Sequence, residues 1–132
     1  MDKNTSHLSG EFLTAGELAR RGLTVSITFG NAKSVDIFAE SAHATYKIDA
    51  KAVRKKTNWP LSKKGVNRDT IYVFVYLGEE TIMQDEPPEY FIVPGHLLID
   101  NKLIQSWRGN RSGVTYKTLK ESKFRSKWEV FR

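Results

Sequence analysis

The sequence contains no cysteine and no long apolar run, and these two absences exclude several classes of protein. Without cysteine, the 132-residue chain cannot form disulfides, thiolate zinc sites or a cysteine nucleophile. No apolar run approaches the roughly 20 residues of a membrane-spanning helix. Residues 1–10 also lack the apolar core of a signal peptide. We therefore expect one soluble domain over residues 1–132 that acts in the cytoplasm and has no membrane partner.

Charges of one sign are missing from two segments of the chain. Residues 51–68 contain seven Lys/Arg and no acidic residue, whereas residues 69–100 contain seven Asp/Glu and no Lys/Arg. Residues 101–132 are basic again, with nine Lys/Arg against two Asp/Glu. Together with the formal net charge of +6, this distribution suits a polyanionic partner such as nucleic acid. Ordinary solvation of a charged surface is the alternative interpretation.

Hydrophobic periodicity and turn residues predict a mixed α/β order. The predicted elements are a helix over 5–21, strands over 23–29, 35–40, 44–51, 71–77 and 90–93, a polar loop over 59–67, and a helix over 94–107. The strand over 71–77 is almost entirely apolar, which indicates a central strand buried on both faces. The order α-β-β-β-β-β-α predicts a mixed central β-sheet flanked by helices.

The predicted hairpin formed by the second and third strands brings two carboxylates together. If Glu40 pairs with Thr45, the same register places Asp36 directly opposite Asp49. Lys51 lies two residues beyond Asp49 and therefore points to the same face. Two carboxylates about 5 Å apart repel each other by roughly 3 kcal/mol at an effective dielectric constant of about 20. A divalent cation between them would offset this repulsion.

The first helix supplies a third carboxylate to the predicted site. Glu11 falls inside the apolar arc of this helix, whereas Glu17 falls nearly opposite it. Glu11 should therefore point toward the sheet, where an unpaired charge is costly. The predicted site comprises Glu11, Asp36, Asp49 and Lys51. Oxygen ligands without His or Cys favour Mg²⁺ or Mn²⁺, and such ions with a nearby lysine are equipped for phosphodiester hydrolysis.

The residues of this predicted site resemble the motifs of a nuclease superfamily. Val35-Asp36 followed by Asp49-Ala50-Lys51 is similar to the motif of the PD-(D/E)XK nucleases. The segment 10–22, from Gly-Glu to the glycine that ends the helix, resembles the first helix of the Holliday-junction-resolvase-like members of that superfamily.

This resemblance implies a restriction-endonuclease-like fold and a DNA endonuclease activity that requires Mg²⁺ or Mn²⁺. It implies that Glu11, Asp36 and Asp49 bind the metal and that Lys51 is the catalytic lysine. DNA, branched DNA included, is the expected substrate. Because duplex cleavage needs two such sites, a homodimer is a further expectation.

A basic segment follows the predicted site and suggests a rim that binds phosphates. The residues predicted to bind nucleic acid are Arg54, Lys55, Lys56, Lys63 and Lys64. A solvated run of charges is the alternative. For Trp59, within the same segment, we favour a structural role in the core.

Two further functions stay open from the sequence. One is a nucleic-acid-binding module that retains the nuclease fold without catalysis. The other is a protein-interaction domain that uses the acidic loop over 79–89. Because this loop would repel DNA, it should lie away from the DNA-binding face or cover that face. A solvated loop without either role is the alternative interpretation, and we favour it.

Overall fold

The computed structural model describes the backbone of residues 3–29 and 35–132 and the side chains of residues 5–29 and 36–132. Its strands are β1 (Thr24–Phe29), β2 (Val35–Glu40), β3 (Thr45–Val53), β4 (Asn58–Pro60), β5 (Thr70–Tyr76), β6 (Glu89–Pro94), β7 (Gln105–Ser106) and β8 (Ser112–Thr115). Its helices are α1 (Lys3–Arg20), α2 (Gly95–Asp100) and α3 (Tyr116–Lys120), with 3₁₀ turns at Lys63–Gly65 and Trp128–Phe131. None of these described helices combines the length and the apolar character that crossing a bilayer requires.

The main sheet is mixed and has five strands in the order β1-β2-β3-β5-β6. Strands β3 and β5 are parallel, and the remaining neighbours are antiparallel. A smaller antiparallel sheet has the order β4-β8-β7. The α/β class and the mixed sheet flanked by helices, both predicted from the sequence, are confirmed.

The two faces of the main sheet carry different cores. One face packs against α1 and the C-terminal 3₁₀ turn, and its buried residues include Ile37, Ile48, Ala50 and Val73. The opposite face of β3, β5 and β6 packs against the small sheet, α2 and α3, with Tyr72, Phe74 and Phe91 buried there. Strand β5 lies between both cores, which confirms the prediction of a central strand buried on both sides.

Two predictions about local structure are wrong. The helix predicted over 94–107 ends at Asp100, because Asn101 is a poor helix former and Lys102 has a positive φ of 52° that breaks the helix. The predicted loop over 59–67 contains a strand and a 3₁₀ turn. Trp59 within it is fully buried and donates a hydrogen bond from Nε1 to the carbonyl of Val75 (3.1 Å), which confirms its structural role.

Helix α1 approaches β3 closely at a glycine. A Cβ atom added at Gly10 would lie 2.5 Å from the Cβ of Ala52. Two carbon atoms that are not bonded do not approach each other this closely. The small size of Gly10 and Ala52 therefore sets the distance between α1 and the sheet. By contrast, a Cβ at Gly16 would meet no atom within 4 Å.

We expect Gly10→Ala to destabilise the protein by about 1–3 kcal/mol, because the added methyl group forces α1 away from β3. The matched control Gly16→Ala should stabilise it by about 0.5–1 kcal/mol, because it removes backbone entropy from the unfolded chain without a clash. Urea denaturation measures both free energies of unfolding. Adding Ala52→Gly to Gly10→Ala should recover part of the loss, and equal effects of the two single alanine variants would contradict this packing.

Candidate functional site

The β2–β3 hairpin has the register that the sequence predicts. Glu40 pairs with Thr45, and the antiparallel pairing continues along both strands to Ile37 and Ile48. Asp36 and Asp49 are the next residues of the two strands in this register. The register therefore places both carboxylates on one face of the sheet, one residue beyond the last pair of the ladder.

These two aspartates belong to a row of residues that crosses the main sheet. Thr28 of β1 pairs with Asp36, and Tyr72 of β5 pairs with Asp49. Paired residues share a face, so a hydroxyl group, two carboxylates and a phenol follow one another across four strands. The small sheet does not cover the β1–β2 end of this row, where Thr28 and Asp36 are exposed.

Lys51 projects from the same face of β3 as Asp49, since residues two apart in a strand point the same way. Its Nζ lies 3.5 Å from Oδ1 of Asp49, and the Lys51 side chain is 24% exposed. Such a pair holds the ammonium beside the carboxylates while leaving both groups within reach of solvent. The structure thus brings three of the four predicted site residues, Asp36, Asp49 and Lys51, to one face.

Tyr72 forms the buried end of the row. Burial raises the pKa of the Tyr72 phenol above its usual value. The N–H of Asn67, which donates to the phenol oxygen (2.9 Å), lowers this pKa, and the charge of Asp49 raises it. The influence of Asp49 on this phenol is consistent with a carboxylate that faces the aromatic core rather than α1.

Two of the predicted DNA-binding lysines lie beside this row. The hydroxyl of Tyr72 donates to the carbonyl of Gly65 at 3.5 Å. Gly65 ends the 3₁₀ turn that contains Lys63 and Lys64, and both lysines are exposed. The sheet face that carries Asp49 and Lys51 is therefore flanked by the positive charges of Lys63 and Lys64. These lysines lie in the 3₁₀ turn that contacts Tyr72.

Glu11 is buried, with 3% of its surface exposed, which confirms that it points toward the sheet. Its Oε1 lies 3.7 Å from Nε2 of His7, one turn earlier in α1. However, α1 covers the face that carries Ala52, and Asp49 projects from the other face. Glu11 therefore approaches from the helix side of the sheet, and strand alternation alone does not place it with the aspartates.

Among the side chains that the structure describes, no group of three or more His, Asp or Glu residues is arranged to hold a metal ion. The two-carboxylate set of Asp36 and Asp49 nevertheless fits Mg²⁺. This ion usually keeps several water ligands and takes only one or two carboxylates from the protein, with substrate phosphates completing the shell. Asp36 and Asp49 are thus the residues that could hold such an ion, with or without Glu11.

A cleft of about 960 Å³ opens where the parallel strands β3 and β5 end. Lys51, Arg54 and Lys55 line it from β3 and the residues after it, and His7 lines it from α1. The carboxyl ends of parallel strands are a common place for ligands in open α/β sheets. His7 is not among the predicted site residues, although its position four residues before Glu11 places both on one helix face.

The acidic loop borders this cleft. Arg54 donates from Nη1 to the carbonyl of Gly78 (3.1 Å), and its Nε lies 4.0 Å from Oε2 of Glu80. Glu79 and Glu80 are solvent-exposed, as expected, yet both line the cleft. The position of the loop depends on contacts with a residue 24 positions earlier, which local sequence does not reveal.

The remaining predicted basic residues differ in their surroundings. Lys55 is exposed and lines the cleft. Lys56 is also exposed, but its Nζ lies 5.6 Å from the ring centroids of both Tyr76 and Tyr116. These cation–π contacts give Lys56 a structural role besides the predicted one.

We expect Arg54→Met to release the acidic loop, because it removes the charged hydrogen bond to Gly78. Backbone amides of residues 79–86 should exchange with deuterium about tenfold faster, as expected for the loss of one such bond. Amides of β5 should be unchanged. The matched variant Lys55→Met removes the neighbouring exposed charge and should leave the loop protected, and equal exchange in the two variants would contradict the proposed anchor.

Comparison with known proteins identifies no relative of this chain. The chain matches no protein-family model, no curated protein and no solved structure.

Proposed function

We propose that the protein is a metal-dependent nuclease that hydrolyses DNA phosphodiester bonds, with a restriction-endonuclease-like form of the α/β fold and the cytoplasm as its compartment. The observation that carries this proposal is that Asp36, Asp49 and Lys51 project from one face of the main sheet, just beyond the last residue pair of the β2–β3 ladder. The Lys51 ammonium lies 3.5 Å from Asp49 on the same face. Carboxylates and an amine in this arrangement are suited to phosphoryl chemistry rather than to stability alone.

Asp36 and Asp49 would hold the Mg²⁺ or Mn²⁺ ion through their carboxylate oxygens. A divalent cation bound there supplies an activated water molecule and neutralises charge on the phosphate. Glu11 is the third ligand that the helical pattern and the resemblance both predict, and the helix that carries it packs on the other face of the sheet.

The chain's own residues would position the substrate and manage charge. The Lys51 ammonium orients the attacking water or stabilises the charge that develops on the phosphate oxygens. Thr28, next to Asp36 in the row, offers a hydroxyl that can donate to a phosphate oxygen. Lys55, Lys63 and Lys64 bind neighbouring phosphates and hold the DNA strand across the face without selecting a base sequence.

A nucleic-acid-binding module without catalysis is the second candidate. One observation favours it: among the side chains that the structure describes, no group of three or more His, Asp or Glu residues is arranged to hold a metal ion. The basic residues and the cleft serve this function equally well, so catalysis and binding have to be measured separately.

We expect the protein to nick supercoiled plasmid or cut branched DNA in the presence of Mn²⁺ or Mg²⁺. Asp36→Asn and Lys51→Met should each lower the rate by about 100-fold or more, the usual contribution of a group that acts in proton transfer or charge stabilisation. Glu40→Gln, an exposed acid on the same face of the hairpin, is the matched control and should keep full activity.

The same assay separates the two candidates. If the wild-type protein binds DNA but neither metal produces cleavage, the binding module is correct. Equal cleavage by the wild type and by both site variants indicates a contaminating nuclease and contradicts the proposal. Glu11→Gln should retain the activity if the two aspartates alone form the ligand set.

We also expect DNA affinity to fall with salt in a way that depends on the lysines flanking the site. If Lys63 and Lys64 each contact a phosphate of duplex DNA, Lys63→Ala/Lys64→Ala should reduce the slope of log K against log salt concentration by about 1.8. Fluorescence anisotropy over a salt series measures this slope. The control Lys117→Ala/Lys123→Ala changes the net charge equally, and an identical loss of slope there would argue against a specific role for the 3₁₀ turn.

A further inference from the structure

One tryptophan of the chain lies at the surface, at the end of the small sheet. Trp107 directly follows β7 and is 39% exposed. The other two tryptophans, Trp59 and Trp128, are 0% and 8% exposed, and each packs against another aromatic ring. Trp107 belongs to neither of the two cores. Its indole therefore offers an aromatic surface to a ligand from solution.

The backbone around this tryptophan forms a tight turn over residues 107–111, the tryptophan turn. The N–H of Trp107 donates to the carbonyl of Arg111 (2.7 Å). Between them, Gly109 and Asn110 have positive φ angles of 72° and 61°, a conformation that glycine and asparagine adopt more readily than other residues. Nε of Arg111 donates to the carbonyl of Arg108 (3.3 Å). The turn thus presents one indole and two guanidinium groups on a preformed support.

The charge of the tryptophan turn and of the sequence around it is positive. Residues 101–120 contain five Lys/Arg and no Asp/Glu. Arg108 and Arg111, on either side of Gly109 and Asn110, are both exposed. A surface of this kind attracts anions, and guanidinium groups bind the oxygens of phosphates especially well.

The tryptophan turn is continuous with the basic 3₁₀ turn that flanks the candidate site. The N–H of Leu61 donates to the carbonyl of Ser112 (3.1 Å), and the Ser112 hydroxyl donates to the carbonyl of Leu61 (2.8 Å). Because β4 and β8 are antiparallel, the chain after Leu61 runs beside the chain before Ser112. Lys63 and Lys64 therefore extend the positive surface of the tryptophan turn toward the face that carries Asp49.

An exposed aromatic ring between cations fits a nucleic acid strand whose bases are unpaired. The cations bind successive phosphates, and the ring stacks on a base, which every base allows because each has a flat face. In a duplex these faces are covered by the neighbouring base pairs. An acidic peptide would be attracted by the same charges, but it has no base to cover the indole. We propose that the tryptophan turn binds an unpaired segment of DNA, with one base stacked on Trp107 and the adjoining phosphates on Arg108 and Arg111.

This inference rests on the proposed function in taking the nucleic acid to be DNA, and it names the substrate class: a duplex that adjoins a single-stranded segment. Lys63 and Lys64 would hold the duplex near the aspartates while the tryptophan turn holds the unpaired strand. None of the proposed metal ligands lies in this turn, so its binding is measured without Mg²⁺ or Mn²⁺. Failure of the nuclease and failure of the tryptophan turn are therefore distinguishable.

We expect the wild-type protein, in the presence of EDTA, to bind an oligo(dT) of about 12 nucleotides about tenfold more tightly than an abasic oligonucleotide with the same number of phosphates. Trp107→Ala should remove this preference, because the stacking is lost, and Trp107→Phe should restore part of it. Fluorescence anisotropy of labelled oligonucleotides measures both affinities. Met83→Ala removes another exposed apolar side chain, from the acidic loop, and should keep the full preference. A wild type that binds both oligonucleotides equally or binds neither, or an unchanged preference in Trp107→Ala, would overturn the proposal.

Intrinsic fluorescence provides a second measurement, because Trp59 and Trp128 are buried and Trp107 is exposed. Saturating oligo(dT) should quench part of the wild-type emission and leave that of Trp107→Phe unchanged. The double variant Arg108→Met/Arg111→Met should bind oligo(dT) and the abasic oligonucleotide more weakly by the same factor, since it removes phosphate contacts. Unquenched wild-type emission argues against stacking. Tighter binding of polyglutamate than of oligo(dT) at equal charge would assign the turn to an acidic peptide and overturn the proposal.

Discussion

The register of the β2–β3 hairpin is the constraint on which the rest of the structure depends. The turn is held by Ser41, whose N–H donates to the carbonyl of Ala44 (2.9 Å) and whose hydroxyl accepts from the N–H groups of His43 and Ala44. A slip of one residue would exchange the two faces of a strand. Ile37 would then leave the core and Asp36 would enter it. The polar turn therefore determines both the packing of α1 and the position of the carboxylates.

The main sheet separates two kinds of acidic group. On the helix side, Glu11 is buried beside His7 and contributes to the interface between α1 and the strands. On the other side, Asp36 is exposed and Asp49 is paired with Lys51. The carboxylate of Glu11 is shielded from solvent, whereas those of Asp36 and Asp49 are accessible to solutes. This difference is the physical basis for assigning chemistry to the aspartates first.

The hairpin could be predicted from the sequence because the pairing of Glu40 with Thr45 depends on local alternation and one turn. The inward direction of Glu11 could be predicted in the same way, from the apolar arc of α1. Which face of the sheet α1 covers could not, because helical periodicity defines the buried side of a helix but not the side of the sheet that receives it. The sequence therefore predicted four residues at one point, and three share a face.

Other differences between the predicted and the observed structure also arise from contacts between distant segments. The acidic loop is anchored by Arg54, and a composition rich in acidic residues does not reveal that anchor. The helix predicted beyond Asp100 fits a helical spacing of apolar residues, but the backbone turns at Lys102 and the chain continues into β7. In both places the local sequence pattern fits the expected structure, but contacts between distant residues determine the structure that is observed.

The C-terminal segment that covers β6 has a consequence for assembly. The N–H of Ile92 in β6 donates to the carbonyl of Phe124 (3.0 Å), and the N–H of Ser126 donates to the carbonyl of Tyr90 (2.8 Å). A sheet with two open edges can add partners without end and grow into a fibre. By occupying β6, the residues around Phe124 and Ser126 make the sheet finite. This segment thus prevents the sheet from adding strands at both edges.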